Sequence, residues 1–198
     1  MTRVFRLTGP QLTPATKTYF PSHDALRKVV EGNLDALLGL RYLESNFHLV
    51  DLPADAPREC REVDTLAFDP VTYAPVAIEY RDRATAELLS QGVSMLHAMP
   101  TQSQVLRYLV KRAGFAPERV EWGKMRILFI GREGAAPIPV PSRSRDGGVE
   151  LWLCELYWGE FLVLDHLVTF PVTGSRPQAS ATAGAAAIPP GPAPPRAA

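Results

Sequence analysis

Two short β-type runs joined by a proline turn constrain this chain more than any other feature. Residues 62–68 and 75–81 read as strands, and Asp69-Pro70-Val71-Thr72-Tyr73-Ala74 between them reads as a hairpin connection. Side chains alternate faces along a strand, so Glu79 and Arg81 share one face while Val76, Ile78 and Tyr80 share the other. In the preceding run Glu62 and Asp64 share a face with Leu66 and Phe68. The hairpin can therefore bring Asp64 beside Glu79. Two carboxylates meeting at a sheet edge repel unless a proton or a cation lies between them. A hard divalent cation such as Mg²⁺ meets that need, taking oxygen ligands from one or two carboxylates and keeping waters or a substrate phosphate in the rest of its shell.

The flanking segments supply a sheet and helices around that hairpin. Pro21-Ser22 give a stop and an N-cap for a helix over 22–40, whose apolar stripe is Leu26, Val29, Val30, Leu34, Leu37 and Leu38, with Gly39 at its end. Helical spacing returns over 85–99 and 102–113, and strands are expected at 47–52, 125–130, 149–157 and 161–168. Residues 1–7 alternate loosely, as an edge strand would. Helix, three strands, two helices and three strands predict an α/β fold, a central mixed β-sheet flanked by helices.

The stretch 131–148 reads as a long loop. Residues 173–198 contain nine Ala, six Pro and three Gly among 26 residues with no aromatic, a composition that cannot offset its own ordering entropy. The expected division is an α/β domain over 1–172 and a disordered Ala/Pro-rich tail over 173–198 whose partner is unknown.

Composition narrows the function classes. Hydrophobic residues at 46% and charged residues at 21% suit a soluble domain with a real core. Lys plus Arg (21) balances Asp plus Glu (21), so any nucleic-acid contact has to come from a local patch rather than a global field. Two cysteines, Cys60 and Cys154, exclude a disulfide-stapled scaffold and a cysteine-based zinc site, and both suit small core positions. No run approaches the roughly 18 apolar residues of a membrane span, and no apolar signal core opens the chain, so a cytoplasmic protein without membrane contact is expected.

Two helical residues join the acids as candidates. Glu31 lies about 90° from the centre of its helix stripe at ~100° per residue, and Gln91 occupies a similar margin on the 85–99 helix. The histidines show no metal-ligand spacing, and Trp122, Trp152 and Trp158 suit the core better than base stacking. Arg107, Lys111 and Arg112 fit either a solvated helix face or a phosphate-tracking one. Glu79 and Arg81 also fit an exposed same-face ion pair on an edge strand.

An acidic helix residue, an Asp, a Glu-x-Lys-like triplet after a hairpin, and a helical Gln together resemble the PD-(D/E)XK nuclease superfamily, the restriction-endonuclease-like fold. The wording is similar to an uncharacterised bacterial branch in Val30-Glu31-Gly32-Asn33-Leu34-Asp35, Val63-Asp64-Thr65-Leu66, Val76-Ala77-Ile78-Glu79-Tyr80-Arg81, Gln91-Gly92-Val93 and Glu121-Trp122-Gly123-Lys124-Met125-Arg126-Ile127. The resemblance covers roughly residues 1–170.

It implies that Asp64 and Glu79 ligate Mg²⁺ or Mn²⁺ with the backbone carbonyl of Tyr80. It further implies that Glu31 holds a metal-bound water or helps bind a second ion, and that Gln91 orients the site or touches the phosphate backbone. The implied reaction is metal-assisted hydrolysis of DNA phosphodiester bonds.

The chain departs from the family at Arg81, where a Lys is the rule. A guanidinium keeps the charge but cannot readily lose a proton and is broader than an ammonium. The chain uses 17 Arg against four Lys, which lessens the oddity without restoring the chemistry. Two further readings therefore stand beside a nuclease: a nuclease fold that has lost catalysis and binds nucleic acid through Arg81, and a protein-interaction module. A homodimer stays open.

Overall fold

The structure, a computed structural model, describes residues 4–49, 61–84, 88–134 and 147–172. The expected tail, most of the expected 131–148 loop, and Cys60 lie outside the described residues.

The N-terminal alternation forms a hairpin of its own rather than an edge of the main sheet. Strands β1 (Phe5–Thr8) and β2 (Gln11–Pro14) pair antiparallel in a separate two-stranded sheet. Every residue of both is exposed, with Phe5 opposite Pro14 and Leu7 opposite Leu12 on one side.

Helix α1 (His23–Glu31) starts where expected, with the Ala25 N–H donating to the Ser22 hydroxyl at 3.0 Å. It does not reach residue 40. Gly32 and Asn33 interrupt it, and the chain resumes as α2 (Leu34–Leu38), ended by Gly39 in the left-handed region (φ 68°). Leu26, Val30 and Leu34 are buried, whereas Val29 is exposed.

The main sheet adds β3 (Lys17–Thr18), β4 (Arg41–His48), β5 (Glu62–Asp69), β6 (Ala74–Ala84), β7 (Arg126–Gly134), β8 (Gly148–Tyr157) and β9 (Phe161–Pro171). Its order is β3-β8-β7-β6-β5-β4, with β9 along β8. The pairs β4–β5, β5–β6 and β8–β9 are antiparallel, while β6–β7 and β7–β8 are parallel. This is the mixed α/β sheet flanked by helices that the sequence predicts. Strand β4 begins six residues before the expected 47, β7 and β9 run four and three residues past their expected ends, and β8 begins one residue early.

Between β6 and β7 the chain crosses over through α3 (Leu88–Ala98), a 3-10 turn (Met99–Gln102) and α4 (Ser103–Arg112). The crossover covers one face of the sheet, packing Met95, Leu96, Leu106, Leu109 and Val110 against Leu66, Phe68, Ala77, Ile127, Phe129, Val149 and Leu151. Helices α1 and α2 cover the other, placing Leu26, Val30 and Leu34 against Ala67, Val76, Ile78, Tyr80, Leu128, Ile130 and Cys154. Alternation along β6 thus sends Tyr80 to the α1 side and aims Glu79 at the α3 side. None of the three Trp residues is fully buried; all are half-buried, and Trp122 and Trp152 pack against the core. No described helix is long and apolar enough to cross a membrane.

Candidate functional site

Strand β6 lies inside the sheet, and every residue from Ala74 to Tyr80 is buried. Glu79 is among them, 2% exposed, and a carboxylate so placed requires partners. They come from a break in the β5–β6 ladder. Pairing runs from Asp69↔Ala74 to Thr65↔Ile78, and the next two residues to face each other are Asp64 and Glu79. There side chains take over from main-chain carbonyls. The Asp64 N–H donates to Glu79 Oε1 (3.2 Å), and the Tyr80 N–H donates to Asp64 Oδ2 (2.9 Å).

Arg81 turns back into the same opening. Its Nη2 donates to Glu79 Oε2 at 2.7 Å, and its Nη1 donates to the main-chain carbonyl of Tyr80 at 2.8 Å while lying 3.6 Å from Asp64 Oδ2. The guanidinium carbon stands 5.7 Å from the centroid of the Phe129 ring. Burial, and then the charge of Asp64, push the Glu79 carboxyl up to about 8; the pull of Arg81 in the other direction is smaller.

Sequence reading gave the histidines no part in this arrangement, yet His23 is in it. Its Nε2 lies 2.5 Å from the Tyr80 carbonyl oxygen, and its ring meets the Tyr80 ring edge-on at 5.7 Å. The only signal in the sequence is its place as the first residue after the Ser22 cap; the 57 positions between His23 and Tyr80 hide the contact.

Glu31 sits in an adjacent cluster. Its Oε1 accepts from the hydroxyls of Ser45 (2.7 Å) and Thr65 (2.6 Å), and Thr65 Oγ1 lies 3.2 Å from the Tyr80 hydroxyl. Each hydroxyl has one proton, so with Thr65 donating to Glu31 the Tyr80 hydroxyl donates to Thr65. Tyr80 links the two clusters, its carbonyl in one and its phenol in the other. Burial raises the pKa of that phenol, keeping it a donor.

Gln91, half-buried on α3, stands one residue from the point where that helix meets the sheet. A Cβ at Gly92 would lie 2.7 Å from Val149 Cγ1 and 3.0 Å from Phe129 Cε2, so only glycine permits this approach. Through Phe129 the helix is tied to Arg81.

Beyond Arg81 the strand runs into an open groove of about 410 Å³ lined by Tyr19, Asp82, Arg83, Arg132 and Glu133. In it Arg132 pairs with Asp82 and Arg83 with Glu133.

The structure thus brings Asp64, Glu79, the Tyr80 carbonyl and Arg81 to one point. Glu31 is one contact removed, through Thr65, and Gln91 stands on α3 beside Gly92. Among the described residues no group of three or more His, Cys, Asp or Glu side chains is placed to hold a metal ion. What converges instead is two carboxylates and a main-chain carbonyl, a set of hard oxygen donors of the kind Mg²⁺ takes when it keeps several waters.

No protein-family model matches the chain. An uncharacterised protein of Haemophilus influenzae (strain ATCC 51907 / DSM 11121 / KW20 / Rd) is 24% identical over 166 residues, covering 82% of this chain and 52% of that protein. The chain therefore spans about half the length of this curated relative. Among solved structures, a type III CRISPR defence DNA nuclease activated by cyclic oligoadenylate is similar over 64% of this chain and 16% of its own, at 20% identity and a TM-score of 0.30. Pyrococcus furiosus SfsA in complex with Ca²⁺ is similar over 74% of this chain and 63% of its own, at 12% identity and a TM-score of 0.30.

Proposed function

We propose that this domain is a nuclease-like protein that holds Mg²⁺ or Mn²⁺ at Asp64, Glu79 and the Tyr80 carbonyl and hydrolyses phosphodiester bonds in DNA. The observation that supports it best is the facing pair Asp64 and Glu79 at the point where the β5–β6 ladder gives way to side chains. Ordinary strand pairing would have used carbonyls there, and a chain that substitutes two carboxyl groups builds an opening whose negative charge depends on the proton of Glu79. Held at that point by Asp64, Glu79 and the Tyr80 carbonyl, a divalent ion would polarise a phosphoryl oxygen and lower the pKa of a coordinated water.

The chain's own residues do the rest. The planar fork of Arg81 suits a phosphate oxygen. His23 fixes the Tyr80 carbonyl from the α1 side, the Glu31 hydroxyl network fixes the Tyr80 ring, and Gln91 stands at the helix margin where a phosphate backbone would pass.

Incubation of the purified protein with plasmid, linear and single-stranded DNA in Mg²⁺ or Mn²⁺, against a chelated control, tests this reading. We expect metal-dependent cleavage that Asp64→Ala and Glu79→Ala each lower by about 100-fold, the scale of losing a metal-site group. Cleavage that persists in Asp64→Ala sinks it.

A second reading draws on the position of Arg81 itself. A guanidinium among the three oxygens neutralises them without a metal, which suits a domain that binds a nucleic-acid backbone and does not cut. Salt-dependent DNA binding without cleavage, unchanged in Arg81→Lys, supports that reading; cleavage gained by Arg81→Lys supports the first.

A further inference from the structure

The same three oxygens that suit a divalent ion already hold a cation. Arg81 Nη1 is 2.8 Å from the Tyr80 carbonyl oxygen and 3.6 Å from Asp64 Oδ2, and its Nη2 is 2.7 Å from Glu79 Oε2. This is an unusual posture for a strand residue, because the side chain folds back onto the carbonyl of the residue just before it. Neither side-chain packing nor strand pairing asks for it; Phe129 meets the guanidinium at one face, and the Arg81 side chain stays 26% exposed. Charge asks for it. Two carboxylates opposed across a broken ladder need a positive group between them, and a guanidinium is permanently charged and shaped to bridge several oxygens at once.

We infer that Arg81 is the built-in cation of this site, closing it in the absence of metal, and that a divalent ion gains Asp64, Glu79 and the Tyr80 carbonyl only by expelling the guanidinium. The inference rests on the proposed metal reading and adds its regulation. The guanidinium and a divalent ion compete for these oxygens, so metal affinity is lowered by whatever the Arg81 contacts contribute. The exposed side of Arg81 gives it an exit. Once expelled, its donors face outward beside the ion, where an anionic phosphate can take them. Anything that engages Arg81 from outside therefore favours metal entry, and metal entry frees Arg81 for an anion, as reciprocal linkage requires.

Mn²⁺ titration, followed by loss of the free-ion paramagnetic resonance signal, tests this without reference to activity. We expect Arg81→Gln to bind Mn²⁺ about tenfold or more tightly than the wild type, a coupling of ordinary size, and Asp64→Ala added to it to remove the gain. Arg81→Lys keeps a positive charge for folding but cannot bridge the oxygens as a planar fork, so a smaller gain in the same direction is expected. If Arg81→Gln folds only when Mn²⁺ is present, the ion has taken over the role of the guanidinium and the inference holds; if it folds in neither condition, Arg81→Lys decides. Wild type binding Mn²⁺ as tightly as Arg81→Gln, or than Arg81→Lys where that variant decides, overturns the inference and leaves the metal reading intact. Binding by no form of the protein overturns both. Tighter binding by Arg81→Gln with no DNA cleavage upholds the inference and counts against hydrolysis.

Discussion

At the two ends of the β5–β6 hairpin the same three side-chain types meet, and they are used in opposite ways. Near the turn, Arg126 donates to Asp69 Oδ2 at 2.8 Å and to Glu150 Oε1 at 3.0 Å. The remaining oxygens are also taken: Asp69 Oδ1 accepts the N–H groups of Val71 (2.8 Å) and Thr72 (3.1 Å), and Glu150 Oε2 accepts the Trp152 indole N–H (2.9 Å). Here an Asp, an Arg and a Glu come from three different strands, β5, β7 and β8, with the guanidinium between the acids. At the far end Asp64 and Glu79 face each other on adjacent strands, and Arg81 comes from the same strand as one of them. The first triad is saturated with fixed donors and serves the turn. In the second the acids replace ladder bonds, and one side chain from the same strand as Glu79 supplies the neutralising charge. Identical composition therefore carries no functional information here; register does.

The sharpest way to break this contrast is to remove each guanidinium. Arg126→Ala leaves two buried acids without their cation, and we expect a loss of about 3–5 kcal/mol in urea unfolding. A comparable loss for Arg81→Ala that Mn²⁺ does not restore would erase the distinction between a structural triad and an exchangeable one.

The second test uses pH. Glu79, whose pKa is raised from 4.5 to about 8, binds a proton more tightly in the folded state than in the unfolded chain. Its contribution to stability is complete below about pH 4.5 and is lost as pH rises through about 8. Wild type should thus lose stability across that window, by a few kcal/mol in order of magnitude, while Glu79→Gln should lose much less. Equal slopes in the two proteins would show that Glu79 is not the group responsible.

Much of this contrast is legible in the sequence, because strand alternation has a period of two and a short hairpin fixes register. That logic put Glu79 and Arg81 on one face, Tyr80 on the other, and Asp64 beside Glu79, as observed. It gave no access to contacts made by distant elements. The turn triad joins residues 57 and 24 positions apart through parallel strands whose register depends on the crossover helices. His23 reaches Tyr80 only because α1 lies across the sheet. The posture of Arg81 is hidden for a different reason: a side chain's face can be counted, but its turn back onto the preceding carbonyl depends on charges from another strand. The break at Gly32-Asn33 was visible in residue type and was overridden by an apolar stripe that continued past it.

Two smaller predictions bear on how the open end is held. Gly92→Ala puts a methyl group against Val149 and Phe129, and overpacking of this kind costs about 1–3 kcal/mol. Because Phe129 touches Arg81, the variant should also alter Mn²⁺ affinity, whereas an equally destabilising change beside Arg126 should not. Ser22→Ala removes the α1 cap at a cost of about 1 kcal/mol. It should loosen His23 from the Tyr80 carbonyl, visible as a shift in the His23 ring resonances, without disturbing those of Trp152, whose indole is tied to Glu150.

The exchange of carbonyls for carboxylates at the ladder break has a spectroscopic consequence. Most amide protons inside a sheet report on the neighbouring strand, which hardly responds to ligands. The amides of Asp64 and Tyr80 hang on ionisable groups instead. Their nitrogen and proton frequencies register each change of charge in the opening, so the backbone serves as an indicator dye for its own centre, readable one residue at a time.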